Sequence, residues 1–358
     1  MQNPHPHRHS HARHSHPRRT KALRPVMGTA TGTVVALLLA SCSAAGPVRQ
    51  DPVAVPSAGA PKGAGSRVYV TNQLDNTVSV IDTTTRKVTA TVPAGTGPEG
   101  IALAPDGKHA YIANSESARV SVLDTRTHKI AATPSVGKNP SGVALTPDGR
   151  TLYVTNGGAN SVSVLDTRTN RVTATVPVGV SPVGVAVARD GATAYVANSG
   201  SASVSVIDTR TRRVVRTLPA GSFPVAVAVG ADGRSVYVAN EVAARVSVLS
   251  IRTGKVTATV PVGEGVFDVA LAPDGKRLYV AVLGPGDVSV IDTGSHRVVG
   301  TVHVGPPGTD PFNVEATSGA VYVTDQGAGT LSVIDPATLK VTSTITLGNS
   351  PYGVAAAP

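Results

Sequence analysis

The chain has 358 residues and a formal net charge of +10, with one cysteine, no tryptophan and an aromatic content of 3%. A single cysteine excludes an intrachain disulfide framework. Residues 1–41 hold six of the basic residues and no acidic residue, which lowers the charge of the remainder from +10 to +4.

Residues 1–41 have the composition of a targeting segment. Arg18, Arg19 and Lys21 precede an apolar run over 34–40 that ends in Leu-Ala-Ser-Cys at Cys42. This run is too short to span a membrane, and its sequence resembles a bacterial lipoprotein signal. The resemblance implies cleavage before Cys42, lipid attachment to that cysteine, and an extracytoplasmic protein anchored to the cell membrane. The secretion route, general or twin-arginine, stays open.

Two further features of the first 65 residues carry less information. Six histidines lie within the first sixteen residues, where a metal could bind. They precede the predicted cleavage position, so we expect them to be removed with the signal. Residues 42–65 begin with the lipid-bearing cysteine and continue as a Pro, Gly and Ala-rich stretch without periodicity. We interpret this stretch as a flexible tether averaging roughly 25–30 Å end to end.

The rest of the chain, 66–358, repeats one unit of about 42 residues. The seven marker tyrosines are Tyr69, Tyr111, Tyr153, Tyr195, Tyr237, Tyr279 and Tyr322, spaced by 42 residues five times and then by 43. A fixed period of this size is typical of solenoids and propellers. Each unit contains four short runs rich in Val, Ile and Thr, such as TLYVTN, SVSVLDT, RVTATVPV and VGVAVA in the third copy. We name these runs strands b, c, d and a in chain order.

The pattern predicts an all-β fold, a seven-bladed β-propeller with four antiparallel strands per blade. Asp-Gly recurs between strands a and b, where it favours a tight hairpin. The repeat begins on strand b and ends on strand a, so we expect the C-terminal strand to pair with the three N-terminal strands and close the ring. The small residues of strand a suit the channel axis, and strand d should be outermost.

The motifs YVTN, VSVIDT, KVTATVPVG and P-x-GVALAPDG are similar to those of the YVTN family of bacterial and archaeal surface propellers. The resemblance covers about 290 of the 358 residues. It implies an extracytoplasmic seven-bladed propeller, and related propellers include lactonases, quinoprotein-like modules and haem-bearing reductase domains. The chain departs from the pattern at Ser250, Val282 and Asp325, and in a loop over 305–313 that is three residues longer than its counterparts.

The strand order predicts two different ends of the ring. Loops a–b and c–d form what we call the turn end, where Asp-Gly hairpins and Asp-Thr-Arg-Thr turns recur; we expect each turn aspartate to accept a backbone N–H two residues on. Loops b–c and d–a form the variable end, which differs between copies. The candidate ligand-binding residues all come from this variable end: Glu99, Ser141, Phe223, Phe267, Asp268, Phe312, Asn313, Tyr352, Glu116, Glu241 and Asp325.

The four aromatic candidates are expected in d–a loops around one mouth of the channel. Loops on a rigid scaffold often bind ligands. The alternative is that Phe223, Phe267, Phe312 and Tyr352 pack against each other and close the channel. The variable end is also acidic and the turn end basic, which suits either solvated turns or an anionic partner at the turn end.

Three functions follow as hypotheses. The first is a non-catalytic, monomeric, lipid-anchored protein without a cofactor, whose variable end binds an envelope protein, peptide or polymer, or a cationic small molecule. The second is a lactonase-like hydrolase in which Glu99, Asp268 and Asn313 offer oxygen ligands to a divalent cation. The third is sequence-independent binding of nucleic acid or another anionic polymer by the basic turn end. The first is the favoured reading, and the sequence leaves the ligand open.

Overall fold

The structure is a computed structural model that describes residues 67–356. The predicted signal segment, Cys42 and the tether lie outside the described residues. Within 67–356 there are 28 β-strands and two short 3-10 turns, at Gly157–Ala159 and Ser199–Ser201. In this part of the chain no helix has the length and apolar character needed to cross a membrane.

The strands follow the order b, c, d, a in every repeat. The b strands are β1 (Arg67–Asn72), β5 (His109–Asn114), β9 (Thr151–Asn156), β13 (Thr193–Asn198), β17 (Ser235–Asn240), β21 (Arg277–Val282) and β25 (Val321–Asp325). The c strands are β2 (Thr77–Asp82), β6 (Arg119–Asp124), β10 (Ser161–Asp166), β14 (Ser203–Asp208), β18 (Arg245–Ser250), β22 (Asp287–Asp292) and β26 (Thr330–Asp335). The d strands are β3 (Lys87–Pro93), β7 (Lys129–Ala132), β11 (Arg171–Pro177), β15 (Arg213–Pro219), β19 (Val256–Pro261), β23 (Arg297–His303) and β27 (Lys340–Thr346). The a strands are β4 (Pro98–Leu103), β8 (Pro140–Leu145), β12 (Pro182–Val187), β16 (Pro224–Val229), β20 (Val266–Leu271), β24 (Pro311–Ala316) and β28 (Pro351–Ala356).

These strands form seven four-stranded antiparallel sheets, and the predicted propeller is confirmed. Six sheets are contiguous in sequence. The seventh has the order β28-β1-β2-β3, with Val68 opposite Ala356 and Tyr69 opposite Ala355. The last strand therefore completes the first blade, as predicted, and the ring has no unpaired edge at the join. We number the blades 1 to 7 from this closing blade.

Burial within a blade is greatest in its two middle strands, b and c. Strands b and c are almost wholly buried, whereas strand d is mostly exposed, as Arg171–Pro177 illustrates. Side chains from adjacent blades share their cores: Tyr69 and Val80 of blade 1 pack with Ile112 and Leu123 of blade 2. Because every blade contacts both neighbours in this way, stability is spread around the ring.

The innermost strands approach one another closely at their third positions. A Cβ on Gly100, Gly142, Gly184 or Gly353 would collide with a backbone carbonyl oxygen of the next inner strand. Thr71 ties the blades together at the same level, because its hydroxyl donates to the Glu99 carbonyl at 2.7 Å and accepts the Gly353 N–H at 2.8 Å. At these four inner strands a third-position glycine is therefore a packing requirement of the channel wall.

The turn chemistry is confirmed in kind and corrected in detail. The hairpin glycines, such as Gly107 and Gly149, have the expected positive φ. The c–d turn aspartates accept backbone N–H groups, but mainly from three residues on rather than two, as from Thr85 to Asp82 at 2.7 Å. The acceptor and donor are three residues apart because the turn is longer than expected: Arg86 adopts a left-handed backbone conformation and donates its N–H to the Asp82 carbonyl. In blade 7 the missing Asp-Gly hairpin is replaced by a turn closed by Thr317.

Candidate functional site

The second residues of the seven inner strands encircle the channel at the variable end, and we call this set the mouth ring. In order around the axis they are Tyr352, Glu99, Ser141, Val183, Val225, Phe267 and Phe312. Three aromatic residues are consecutive, followed by a carboxyl and a hydroxyl, and two valines complete the ring. One arc of the mouth ring is therefore chemically distinct from the other.

The aromatic arc is a stack of three rings. The ring centroids of Phe267 and Phe312 are 3.7 Å apart, and those of Phe312 and Tyr352 are 4.5 Å apart. Phe312 and Tyr352 are buried, with 4% and 6% of their surface exposed, while Phe267 is half-buried. The rings contact one another, which the channel-closing alternative requires, and only Phe267 presents much surface to a ligand.

The expected placement of the aromatic residues needs one correction. Phe267, Phe312 and Tyr352 belong to the inner strands themselves rather than to the d–a loops. Phe223 does lie in a loop, one residue before β16, and packs against a core cluster that includes Val225. The cause is that strand pairing begins one residue before each of these three aromatic residues, at Val266, Pro311 and Pro351, so the second position already lies in the sheet.

Glu99 is a buried carboxyl next to the aromatic stack. It is 4% exposed, and Gln73 donates to its Oε1 from Nε2 at 3.3 Å. Burial raises the pKa of Glu99, and hydrogen bonds from Ser141, Ser115, Tyr352 and Gln73 oppose that rise. Burial, followed by the charge of Glu99, raises the pKa of the Tyr352 phenol well above its usual value. The phenol therefore stays protonated and donates to the carboxyl group.

Asp268 and Asn313 occupy the third positions of neighbouring inner strands, where four other blades have glycine. The Asp268 Oδ2 atom accepts the Asn313 side-chain amide at 2.7 Å and the Val314 N–H at 3.0 Å. The Asn313 Oδ1 atom accepts the Val354 N–H at 3.1 Å. These side chains tie blades 6, 7 and 1 together. Burial raises the pKa of Asp268 to about 7.

Glu315 is a channel carboxyl that the sequence reasoning missed. It is the fifth residue of β24, a position that is alanine in the six other inner strands. Burial, and secondarily the charge of Asp268, raises the pKa of Glu315 to about 8. Alignment of the seven inner strands position by position would have found it, since only one copy departs from alanine.

Asp325 lies inside its blade rather than on the variable face. Its side chain is fully buried, and its Oδ2 accepts the hydroxyls of Thr330 at 3.0 Å and Ser332 at 2.7 Å. Its Oδ1 is buried with no hydrogen-bond partner, and burial raises the pKa of Asp325 to about 7. In five blades an asparagine at this position donates to the matching serine, as Asn114 does to Ser121 at 3.0 Å. A ligand arriving from solvent would not reach Asp325.

The remaining acidic candidates lie on the rim. Glu116 is exposed in the loop between β5 and β6, and Glu241 is half-buried in the loop between β17 and β18. Burial raises the pKa of Glu241. Within residues 67–356, the side-chain ion pairs lie elsewhere, at Lys108–Asp106, Arg150–Asp148 and His303–Asp287. The channel and rim carboxyls thus have no described cationic partner.

The three oxygen ligands proposed for a cation do not form one cluster. Asp268 and Asn313 are adjacent and bond to each other, but the strand β28 separates them from Glu99 on β4. In the described part of the chain, no group of three or more His, Cys, Asp or Glu side chains is arranged to hold a metal ion.

Comparison with known proteins supports the fold. The family model described as lactonase, 7-bladed beta-propeller, matches residues 81–214. A 41-residue segment is 54% identical to the PE-PGRS family protein PE_PGRS18 of Mycobacterium tuberculosis (strain ATCC 25618 / H37Rv), which is 12% of this chain and 9% of that protein. The chain thus spans less than a tenth of the length of this curated relative.

Solved structures resemble most of the ring. Kuenenia stuttgartiensis hydrazine synthase aligns with a TM-score of 0.67 and 24% identity, over 72% of this chain and 88% of that chain. A functionally unknown protein from Desulfotomaculum acetoxidans DSM 771 aligns with a TM-score of 0.69 and 15% identity, over 81% and 98%. The dihydro-heme d1 dehydrogenase NirN in complex with DHE aligns with a TM-score of 0.59 and 18% identity, over 82% and 66%. At these identities the likeness concerns the fold alone.

The site has the parts to bind a ligand and few parts to transform one. It offers an aromatic surface at Phe267, a buried carboxyl at Glu99 and hydroxyls at Ser141 and Tyr352. The four histidines of the described residues are His109, His128, His296 and His303, and all lie in strands or turns away from the mouth ring. A raised carboxyl pKa also suits a general base, so proton transfer is chemically available.

Proposed function

We propose that the protein is a non-catalytic binding protein whose ligand site is the mouth ring. The observation that carries the proposal is the asymmetry of this ring: seven equivalent positions place three aromatic rings, a carboxyl and a hydroxyl on one arc and two valines on the other. An apolar wall with a few converging polar groups is the usual lining of a ligand site.

The ligand class follows from the charges. Glu99, Asp268 and Glu315 have no described basic partner, and Glu116 and Glu241 add negative charge at the rim. A ligand with a protonated amine and an apolar part could pair with Glu99 and lie against Phe267. An envelope peptide with an exposed lysine, or a cationic small molecule, has this chemistry.

The cellular setting belongs to the same proposal. Residues 1–41 act as a lipoprotein signal, Cys42 carries the lipid, residues 42–65 form the tether, and 66–358 form a monomeric propeller of the YVTN type outside the cytoplasm. Mass spectrometry of the membrane fraction tests this part: the expected N-terminal peptide begins at a diacylated Cys42. An unprocessed N-terminus, or a Cys42→Ala variant that is still membrane-bound through lipid, contradicts it.

Binding is tested with defined probes on the full chain. The probes are phenethylammonium and a short peptide with one lysine, measured by isothermal titration calorimetry. Glu99→Gln keeps the shape of the side chain and removes the charge, so affinity should fall at least about tenfold, because a charge-assisted hydrogen bond is lost. The matched control is Glu264→Gln, an exposed carboxylate of the same end, with an expected change below about twofold. Equal losses in the two variants, or no binding of either probe, contradict the proposal.

A lactonase-like hydrolase is the second candidate, and the family match over residues 81–214 favours it, since that range includes Glu99 and Ser141. In this hydrolase Glu99, with its raised pKa, acts as a general base. A divalent cation bound by Glu99, Asp268 or Asn313 is an alternative way to assist the hydrolysis. The test is hydrolysis of δ-valerolactone and γ-butyrolactone with and without calcium or zinc. Hydrolysis that Glu99→Gln lowers about 10²–10⁴-fold supports the enzyme. No turnover and no metal-induced rise in melting temperature supports the binding protein.

A further inference from the structure

Both ends of the described chain lie at the turn end of the ring. Strand β1 starts there at Arg67, paired with Asp82 at the end of β2. Strand β28 finishes beside it, since Val68 is opposite Ala356. Arg67 and Ala356 therefore both lie at the turn end, on the opposite side from the mouth ring.

The turn end presents a ring of exposed cations. They come from the c–d turns and the first residues of the d strands, and each blade contributes at least one. The exposed members are Lys87, Arg126, Lys129, Arg168, Arg171, Arg210, Arg212, Arg213, Arg252, Lys255, Arg297 and Lys340. Because the seven turns are equivalent by the repeat, these cations lie at one level around the ring.

The nearby carboxylates do not pair with this ring. Aspartates of the c–d turns accept backbone N–H groups of their own turns, at 2.7 Å from Thr127 to Asp124 and at 2.6 Å from Thr211 to Asp208. None of the twelve exposed cations makes an ion pair with a carboxylate of residues 67–356. The cations therefore keep their charge available to an external partner.

The aromatic residues lie away from this surface. The phenylalanines and Tyr352 lie at the variable end, and the other seven tyrosines are buried in the blades. A nucleic-acid surface would use exposed aromatic rings for base stacking. A circular, nearly level set of flexible cations suits a flat anionic surface better than a groove.

We infer that the turn end docks on an anionic lipid surface, with the mouth ring facing away from the membrane. Lys and Arg side chains near anionic headgroups each strengthen membrane partitioning about fivefold. The acidic variable end is repelled by the same surface, which fixes the orientation. The docking inference is based on the exposed cations alone. Only the suggestion that a lipid anchor assists the docking depends on the proposed lipid at Cys42, 25 positions before Arg67.

The docking is tested with the full chain carrying Cys42→Ser, which prevents lipid attachment. Cosedimentation compares vesicles of phosphatidylcholine alone with vesicles containing phosphatidylglycerol. The triple variant Arg171→Gln, Arg210→Gln and Arg213→Gln should weaken binding to the anionic vesicles about a hundredfold at low salt. The matched control replaces the three exposed cations of the variable end, Arg119, Lys138 and Arg245, by glutamine, and should change binding less than about twofold.

The orientation is tested in the same Cys42→Ser background with a single introduced cysteine carrying a fluorophore. Thr338→Cys labels the turn end and Val242→Cys labels the variable end, where Val242 is 69% exposed. Spin-labelled headgroups should quench the first label and leave the second bright. Equal loss of binding in the two triple variants, binding that is insensitive to salt, or quenching of the Val242→Cys label overturns the inference. Binding of duplex DNA but not of anionic vesicles overturns it as well. All these readouts are independent of Glu99, so they separate this inference from the ligand proposal.

Discussion

The turn end and the mouth ring are built on the same 28 strands, but the turn end has nearly the same residues in every blade whereas the mouth ring differs from blade to blade. At the turn end six of seven c–d turns use the same aspartate, and five of the six a–b hairpins use Asp-Gly. In the mouth ring the seven equivalent positions hold five different residue types. Repetition marks the residues that every blade needs in order to fold, and divergence marks the residues that serve a single place in the ring. Four tests by substitution can break or sharpen this comparison.

The largest effect is expected in the aromatic stack. Phe312 is 4% exposed, so Phe312→Ala should lower the free energy of unfolding by about 3–5 kcal/mol through loss of packing. Phe267 is only half-buried, so Phe267→Ala should cost about 1–2 kcal/mol while removing the surface offered to a ligand. Chemical denaturation measures both. If the two variants lose equal stability, the rings act together as a plug and the ligand surface must lie elsewhere.

Asp325 gives a pH-dependent effect of similar size. Burial raises its pKa from 3.8 to about 7, so the stability that it contributes is present below pH 3.8 and is lost as the pH rises through about 7. Asp325→Asn restores the residue of five other blades and should remove this loss. At pH 8 the variant should be more stable by up to about 4 kcal/mol, with little difference at pH 4. Asp190→Asn, at an exposed hairpin, is the control; the same gain there contradicts the argument.

The third effect concerns the glycines of the inner strands. Gly142→Ala places a methyl group against the Val183 carbonyl, and should cost about 1–3 kcal/mol through overpacking. Gly284 has ordinary backbone angles and no atom within 4 Å of an added Cβ, so Gly284→Ala should stay within about 0.5 kcal/mol. Thermal unfolding of both variants checks the pair. Comparable stability of Gly142→Ala and the parent would mean that adjacent inner strands can separate without cost.

The sequence was sufficient for the fold because its signals are periodic. The marker tyrosine recurs seven times and the Asp-Gly hairpin five times, which determines the blade count. The start of the repeat on strand b then determines how the ring closes. The site was harder because each of its residues occurs once. Asp325 follows a YVT run at the edge of the variable end, and only the packing of the following strand shows that it is buried.

Glu315 illustrates the same limit. It lies within an inner strand that the repeat identifies. Its raised pKa, however, depends on burial and on Asp268 of the neighbouring blade, 47 residues earlier in the chain. Contacts between blades join residues one whole period apart, and no local pattern reports them. Position-by-position comparison of the inner strands finds such departures, whereas distances and burial require the structure.

The smallest effect tests the turn end, where blade 5 offers a natural exception. Its c–d turn has Ser250 in place of aspartate, and Thr253 donates its N–H to Ser250 Oγ at 3.3 Å, against 2.7 Å for the equivalent bond from Thr169 to Asp166. Ser250→Asp should shorten this bond and stabilise the protein by about 0.5 kcal/mol at pH 7. In five of the native turns hydrogen bonds lower the pKa of the aspartate from 3.8, as they do for Asp166. The gain should therefore disappear as the pH falls below 3.8, the opposite dependence to that of Asp325. Unchanged stability in Ser250→Asp would mean that the repeated aspartates do not stabilise the c–d turns. Contact with a partner at the turn end would then explain their repetition better.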